Sequence, residues 1–479
     1  MEEELKRQTD LDYLGITAEF KEPQTVSEGF LIGLPVKDSL SRLSSNFRCA
    51  LSRGIHLESK YSPEEMALHY GKFDKFAEEG IITPVVSSSK PPLLHYIPHR
   101  PVFKYGAEFT KCLPVLDCSA KTSEGLSLND CLCTGDNRIS NLFGLQCKFR
   151  AGKHVFITDV SAAFYGIAVC PEHQDLLCIL LPQDHRKPLS SRNVDVYKYA
   201  RLVMGASPSP NLLLACLKCL GDDAADSGVG YGLRQEELRT LADSFYVDNG
   251  VFPFSDPQEA KHIIAGLIAL FASAKLHLRQ FSSDVPEVLE GVPEPDLQTK
   301  QVIRNLGMER DHLERELSQL DNVRLPRRLV SDPDQPADLI IFSNGGGGAY
   351  GFVAYVVQAR QPVFLAAKSK LVPSSRKSLL ITIPHIKMWA AAIATRFLHF
   401  ALLQLGPFIW FKNLIHYIDS QEQRAVEVEE LMQDFEGYQR RFVPTQDNAA
   451  DILTNPKALS SLLQSSYYTG PDFLRLPLT

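Results

Sequence analysis

The stretch Phe245-Tyr246-Val247-Asp248-Asn249-Gly250 carries the most informative pattern in this chain. An aromatic residue, an apolar residue and a carboxylate followed by its amide suit the turn of a β-hairpin. Where such a turn holds two adjacent acids, it presents hard oxygen ligands to divalent metal. A metal pair can then clamp the attacking and leaving oxygens of nucleotidyl transfer. Here the second acid is the amide Asn249. Taken alone, a hexapeptide of this kind is more often an ordinary strand and turn. Its surroundings decide the matter.

Upstream, Val155-Phe156-Ile157-Thr158-Asp159 predicts a short β-strand ending in a carboxylate, followed by Val160-Ser161-Ala162-Ala163-Phe164-Tyr165. An acid at a strand end with the aromatic Phe164 just beyond it suits a polymerase palm. The acid holds metal and the ring lies under the sugar. Between the two acids, Leu202-Val203-Met204-Gly205-Ala206-Ser207-Pro208-Ser209-Pro210 is a loop punctuated by Gly and Pro. It runs into the apolar Leu212-Leu213-Leu214-Ala215. Each piece has a plain structural explanation, since such loops usually just turn the chain. All three in this order are harder to dismiss.

With these residues in place, the chain resembles the polymerase region of Bel/Pao-type LTR retrotransposons. Asp117-Cys118-Ser119-Ala120-Lys121-Thr122 and Gly125-Leu126-Ser127-Leu128-Asn129-Asp130 are similar to that family's DASAKT…GLSLND fingers segment, and His99-Arg100-Pro101-Val102 resembles the HHPV run before it. The resemblance starts near Leu11-Asp12-Tyr13-Leu14-Gly15-Ile16. It implies that Asp159 is the first catalytic acid and Phe164 the residue that screens out ribonucleotides. It also assigns Gly205, Ser209 and Pro210 to the template and nucleotide loop, and Tyr246-Val247-Asp248-Asn249 to the place of YVDD. The second half resembles the family's RNase H-like domain. Leu339 to Asn344 and Ala349 to Tyr355 predict two hairpin strands around Gly345–Gly348, and no Gly-Lys-Ser/Thr follows to favour a phosphate loop. Tyr417-Ile418-Asp419-Ser420 and Asn448-Ala449-Ala450-Asp451 match the third and fourth acidic positions.

Departures from that family pattern matter as much as the matches. Asn344 stands in place of the first RNase H-like acid and Lys387 in place of the second, leaving Asp419 and Asp451. Two aspartates against one lysine leave a formal charge of −1 to face two divalent ions. Repulsion between like charges in a poorly hydrated pocket is worth roughly several kcal/mol, so no metal is expected at that site. At the polymerase-like site Asp159 and Asp248 remain as ligands for Mg²⁺ or Mn²⁺, if it is active, and Asn249 offers a weaker carbonyl oxygen. Leu113 occupies the place of an arginine that grips the triphosphate, and Gln280 that of a lysine, with Arg279 beside it. Leucine cannot replace the donor fork of arginine. The family also interposes a thumb and connection region where this chain has only 31 residues between Gly307 and Leu339. Loss of a thumb would weaken the grip on duplex phosphates.

Composition accommodates this picture. A chain of 479 residues with 44% hydrophobic content can build several cores. A net charge of −7 and a pI near 6.0 do not mark a strongly nucleic-acid-seeking protein. Residues 90–153 nevertheless hold nine Lys/Arg against five Asp/Glu. A solvated surface is the simpler account of that excess, with retained phosphate binding the alternative. The ten cysteines follow no extracellular framework and no secretory segment opens the chain, so an intracellular protein with reduced thiols is expected. The apolar run Trp389 to Phe411 is interrupted by Arg396, His399, Gln404, Gly406 and Pro407 and suits a core helix better than a membrane span.

The expected fold class is α/β and α+β multidomain: polymerase fingers and palm, right-hand-like with the thumb missing, followed by an RNase H-like domain. The expected layout is an N-terminal helical region (1–85), reverse transcriptase-like fingers and palm (86–306), a shortened linker (307–336), the RNase H-like domain (337–455) and a tail (456–479). The favoured function is a catalytically impaired or inactive reverse transcriptase/RNase H-like protein. The alternatives are a weak RNA-directed DNA polymerase using Asp159 and Asp248, and a retained nucleic-acid-binding or protein-interaction module. The expected partner is an RNA/DNA primer–template, weakly bound, with no membrane.

Overall fold

The β-branched and aromatic run His154–Val160 forms a strand with both faces covered. Phe156 and Val160 enter the main core on one face, while Val155 and Ile157 pack on the other against Leu142, Leu145 and Phe149. The computed structural model describes residues 24–26, 29–85, 94–105, 110–135, 137–298, 325–346, 349–372, 382–418, 438–454 and 467–476. Its first part runs β1 (Gln24–Val26), β2 (Gly29–Ile32), α1 (Phe47–Glu58), α2 (Pro63–Glu78), β3 (Ile82–Pro84), β4 (His99–Tyr105), β5 (Thr110–Leu116) and α3 (Leu142–Ala151). It continues with β6 (His154–Val160), β7 (Ile167–Val169), β8 (Cys178–Leu181), β9 (Asp195–Tyr199), α4 (Ser209–Ser227), β10 (Phe245–Tyr246), β11 (Asn249–Phe254), α5 (Pro257–Ser273) and β12 (Leu278–Ser283). The central sheet has the order β10-β11-β6-β12 and is antiparallel throughout.

Local signals account for these elements. Ser62 accepts from the Glu65 backbone N–H at 3.2 Å and Glu65 accepts from the Ser62 N–H at 3.0 Å, the capping box that starts α2. Met66, His69, Tyr70, Phe73 and Phe76 then recur at helical spacing and are buried. His69 meets His99 across the core, Nε2 to Nδ1 at 2.9 Å, and His99 Nε2 lies 3.0 Å from the Leu180 carbonyl. A carbonyl only accepts, so His99 carries its proton on Nε2 and its bare Nδ1 accepts a hydrogen bond from His69 Nε2–H.

The C-terminal part comprises β13 (Ala337–Gly345), β14 (Ala349–Gln358), β15 (Gln361–Leu371), α6 (Ile383–Leu405), β16 (Phe411–Ile418), β17 (Tyr438–Phe442) and a single turn α7 (Asp451–Thr454). Its sheet order is β15-β14-β13-β16-β17, antiparallel over the first three strands and parallel over the last three. Alternation along β13 serves two cores: Leu339 and Ile341 face α6, whereas Ile340 and Phe342 meet Ala450, Tyr467 and Leu474. Strands buried on both faces read as continuous apolar runs, as this one does. α6 is long and apolar enough to cross a membrane by length and composition, yet it lies on the sheet with Ala390, Ala394, Leu398, Ala401 and Leu405 buried. The expected α/β and α+β fold class is present.

α3 joins the two parts. Leu142, Leu145 and Phe149 face the central sheet, while Cys147 and Ala151, on the opposite stripe, enter the core made by α6 with Leu329 and Val330. The Phe143 ring packs tilted against Phe397, centroids 5.4 Å apart. Arg150 donates to four carbonyls: Phe364 at 2.6 Å, Leu365 at 3.1 Å, and Pro326 and Arg327 at 3.3 Å. Arg327 answers with bonds to the Phe149, Gly152 and Lys153 carbonyls. The stretch read as a linker therefore ends in packed structure; its residues up to 324 lie outside those described.

Candidate functional site

The β10–β11 hairpin turns at Val247 and Asp248, with Val247 in the left-handed region at φ 59°. The Asp248 carbonyl accepts from the Val160 N–H at 2.9 Å, which ties the turn to the end of β6. Register then does the rest. Asn249 lies opposite Asp159 on one side, and Arg279 of β12 lies opposite it on the other. Residues directly opposite in antiparallel strands share a face, so Asp159, Asn249 and Arg279 converge. Asn249 Nδ2 donates to Asp248 Oδ1 at 2.8 Å, and Arg279 Nε donates to Asp159 Oδ1 at 3.3 Å.

Burial raises the carboxyl of Asp159 above its ordinary value, the Asp248 charge adds to the rise, and Arg279 partly offsets both. Asp248 is raised by burial too, against the backbone, Asn249 and Arg279. Two under-neutralised carboxylates at one turn are what a cation would relieve, and their hard oxygens fit Mg²⁺ or Mn²⁺. The fit is thin. Asn249 turns its donor end toward Asp248, and among the described residues no group of three or more His, Cys, Asp and Glu is placed to hold a metal.

The remaining positions singled out in the sequence have mixed surroundings. Phe164 sits in a short 3₁₀ turn, partly buried against the main core. Gly205 has φ 112°, and a Cβ there would lie 2.5 Å from the Leu116 carbonyl oxygen, so only glycine fits. Asn129 pins this loop: its amide donates to the Gly205 carbonyl at 3.0 Å and Ser119 Oγ at 2.9 Å, and accepts from the Ser207 N–H at 2.9 Å. Ser209 points inward, donating to the Val203 carbonyl at 2.6 Å, and Pro210 occupies the first turn of α4. Leu113 stands exposed on β5.

At the second site, Asn344 is buried at the end of β13. Its Nδ2 donates to Asp451 Oδ1 at 2.9 Å and its Oδ1 accepts from the Gly345 N–H at 2.7 Å. Asn448 donates to the Ser343 carbonyl at 3.0 Å and accepts from the Ala450 N–H at 3.0 Å, fixing the turn that carries Asp451. Ser343 Oγ lies 2.9 Å from Nε2 of the buried His416, whose imidazole burial pushes down to about 3 and so keeps neutral. A Cβ on Gly345 would lie 2.8 Å from the backbone of Ile386 and Lys387, so the start of α6 abuts this strand end. Asn344 and Asp451 are joined by a hydrogen bond, and the backbone of Lys387 lies beside Gly345. Asp419 lies outside the described residues, and the strand leading to it ends at Ile418 opposite Ser343.

Among the described residues, Asn344 and Asp451 make a poor donor set for a divalent ion. An amide N–H occupies Asp451 Oδ1, and the amide oxygen is engaged by the Gly345 N–H. Beside Asp451 opens a cleft of about 650 Å³, lined among others by Tyr417, Arg441, Asn448, Tyr467 and Phe473. Sequence reasoning missed these aromatic residues of the tail, because only their long-range packing on β13 and β14 reveals them. Tyr355, 112 positions upstream, donates its hydroxyl to the Tyr467 carbonyl at 2.5 Å.

Residues 296–420 match the family model of the Pao retrotransposon-like RNaseH-like domain. The matched range begins upstream of β13 and stops before Asp451. No curated protein matches the chain. Among solved structures, the chain is similar to the foamy viral protease-reverse transcriptase dRH in complex with double-stranded DNA: 12% identity, 91% of this chain and 79% of that one, TM-score 0.45. The foamy viral protease-reverse transcriptase in complex with double-stranded DNA matches at 12% identity over 78% of this chain and 82% of that one, TM-score 0.44. The same viral protein with an RNA/DNA hybrid matches at 12% identity over 95% of this chain but 62% of that one, TM-score 0.47. At these scores the likeness is loose.

Proposed function

We propose that this chain, whose residues 296–420 match the Pao retrotransposon-like RNaseH-like model, is a reverse transcriptase/RNase H-like protein without hydrolytic activity at its RNase H-like centre. The observation that carries this reading is the Asn344–Asp451 hydrogen bond of 2.9 Å, in which an amide donor replaces a metal ligand. By the resemblance, Lys387 in the first turns of α6 stands where the family has a carboxylate. Purified protein incubated with a labelled RNA–DNA hybrid and Mg²⁺ or Mn²⁺ should leave the RNA intact. Cleavage that disappears in Asp451→Asn would sink the proposal.

A second reading concerns the palm-like centre, and the convergence of Asp159 and Asp248 supports it. A divalent ion held there would supply electrostatic stabilisation of a transferring phosphoryl group. The chain's own contributions are limited. Asp159 and Asp248 would hold the ion, and Leu113, exposed on β5, gives no grip on a triphosphate. Primer extension on a homopolymer template should be feeble, and should improve in Asn249→Asp and further with Leu113→Arg added. Robust, processive synthesis by the unaltered chain would contradict the impaired reading.

A further inference from the structure

We propose that Arg279 is the resident counter-cation of the Asp159–Asp248 pair, and that a divalent ion and this guanidinium compete for the same Asp159 oxygen. The inference rests on the palm-like reading above.

Three features of the backbone hold Arg279 there. β12 pairs with β6 at Leu278 and Val160, then at Arg279 and Asp159, and resumes only at Ser282 and Ile157. The intervening bulge places Gln280 at φ 55°, a left-handed conformation for a residue other than glycine. Phe281 is buried in the main core and anchors the far side of the bulge. Thr158 Oγ1 donates to the Arg279 carbonyl at 3.0 Å, which fixes the backbone on the near side. The guanidinium is thereby aimed at Asp159, whose side chain is 19% exposed against 45% for Arg279. It reaches the carboxylate from the rim.

Charge makes the consequence concrete. Two aspartates and one guanidinium leave a formal charge of −1 at the cluster, because Asn249 contributes none. An incoming divalent ion must displace the Arg279 hydrogen bond and then sit beside the displaced cation. The half-exposed position of Arg279 screens that repulsion, so its removal should raise metal affinity on the order of tenfold rather than by many decades. The bulge thus makes β12 an element that sets metal affinity.

The test is Mn²⁺ titration of the full chain, followed by electron paramagnetic resonance of free Mn²⁺. The set is wild type, Arg279→Gln, Arg279→Lys, Asp159→Asn and the double variant Arg279→Gln/Asn249→Asp, with circular dichroism to confirm each fold. We expect Arg279→Gln to bind about tenfold more tightly than wild type. Arg279→Lys, which keeps the charge, should stay near wild type and guards against a mere packing effect. Asp159→Asn should lose binding. If Arg279→Gln binds no better than wild type while Asp159→Asn still abolishes binding, the counter-cation role is refuted and the metal reading stands. If even the double variant binds no Mn²⁺, the palm-like reading fails and this inference with it.

Discussion

Replacing Arg150 by methionine should separate the two halves of the molecule energetically. The β15 strand slips by one residue between its pairings Ala354–Ala366 and Tyr355–Phe364, so Leu365 has no partner in the ladder. Arg150 reaches across from α3 and captures the carbonyls of Phe364 and Leu365, with Pro326 and Arg327 on its other N–H groups. Methionine keeps the stem's packing and removes every donor. Hydrogen bonds from a charged donor contribute roughly 1.5–3 kcal/mol each, but the four share one group and some of the carbonyls can turn to water. Relief of the desolvated cation offsets part of the loss; burial already depresses the Arg150 pKa. A net loss of about 3 kcal/mol follows. Urea unfolding followed by far-UV circular dichroism, paired with hydrogen exchange over residues 349–371, measures it. The expected result is a lower midpoint with early exchange of β14 and β15. A change below about 0.5 kcal/mol, the range of ordinary surface substitutions, would refute the clasp.

Three further outcomes follow from the same geometry. Asp159→Asn should stabilise the protein at pH 7, because the native carboxyl is raised and its ionisation disfavours the fold; the gain should shrink as pH falls toward the ordinary aspartate value of 3.8 and vanish below it, which urea midpoints across that range would read. Asn344→Asp sets a second carboxylate against Asp451 and should cost about 2–3 kcal/mol at neutral pH. Thermal melts should then show partial recovery in acid, where one carboxyl can donate to the other. His99 and His416 are held neutral by burial, pushed down to about 4 and about 3, so each withdraws roughly 1.4 kcal/mol of stability per pH unit as pH drops below 6.5. Equilibrium unfolding should therefore steepen in acid, and His416→Gln should flatten that slope.

Legibility in the sequence followed the range of the forces involved. The strand ending at Asp159, the turn at Asp248, the β13–β14 hairpin and the Ser62 cap rest on alternation, turn chemistry and local capping, and all are present. The apolar run near residue 390 forms α6, which packs on the sheet through Ala394, Leu398, Ala401 and Leu405. Features set by partners distant in the chain were not legible. Ser209 is a loop-like hydroxyl by composition, yet its side chain closes on Val203 inside the core. Arg150 and Arg327 read as ordinary basic residues until the β15 bulge supplies their acceptors. Tyr467 and Phe473 lie in a tail with no periodicity, and only the sheet they cover explains them. The substitutions Asn249 and Asn344 were visible as residues, but their hydrogen-bond directions needed coordinates.

The central claim is that the two candidate centres differ in kind, with the palm-like pair able to take a divalent ion and the RNase H-like cluster closed to one. Anomalous diffraction from crystals of the unaltered chain soaked in Mn²⁺ tests this most directly, because it locates each ion without relying on turnover. The account predicts a peak within coordination distance of the Asp159 and Asp248 carboxylates, with the Asn344–Asp451 hydrogen bond intact and no peak beside it. A Mn²⁺ peak bridging Asn344 and Asp451, or none at Asp159 and Asp248 at saturating metal, would contradict it.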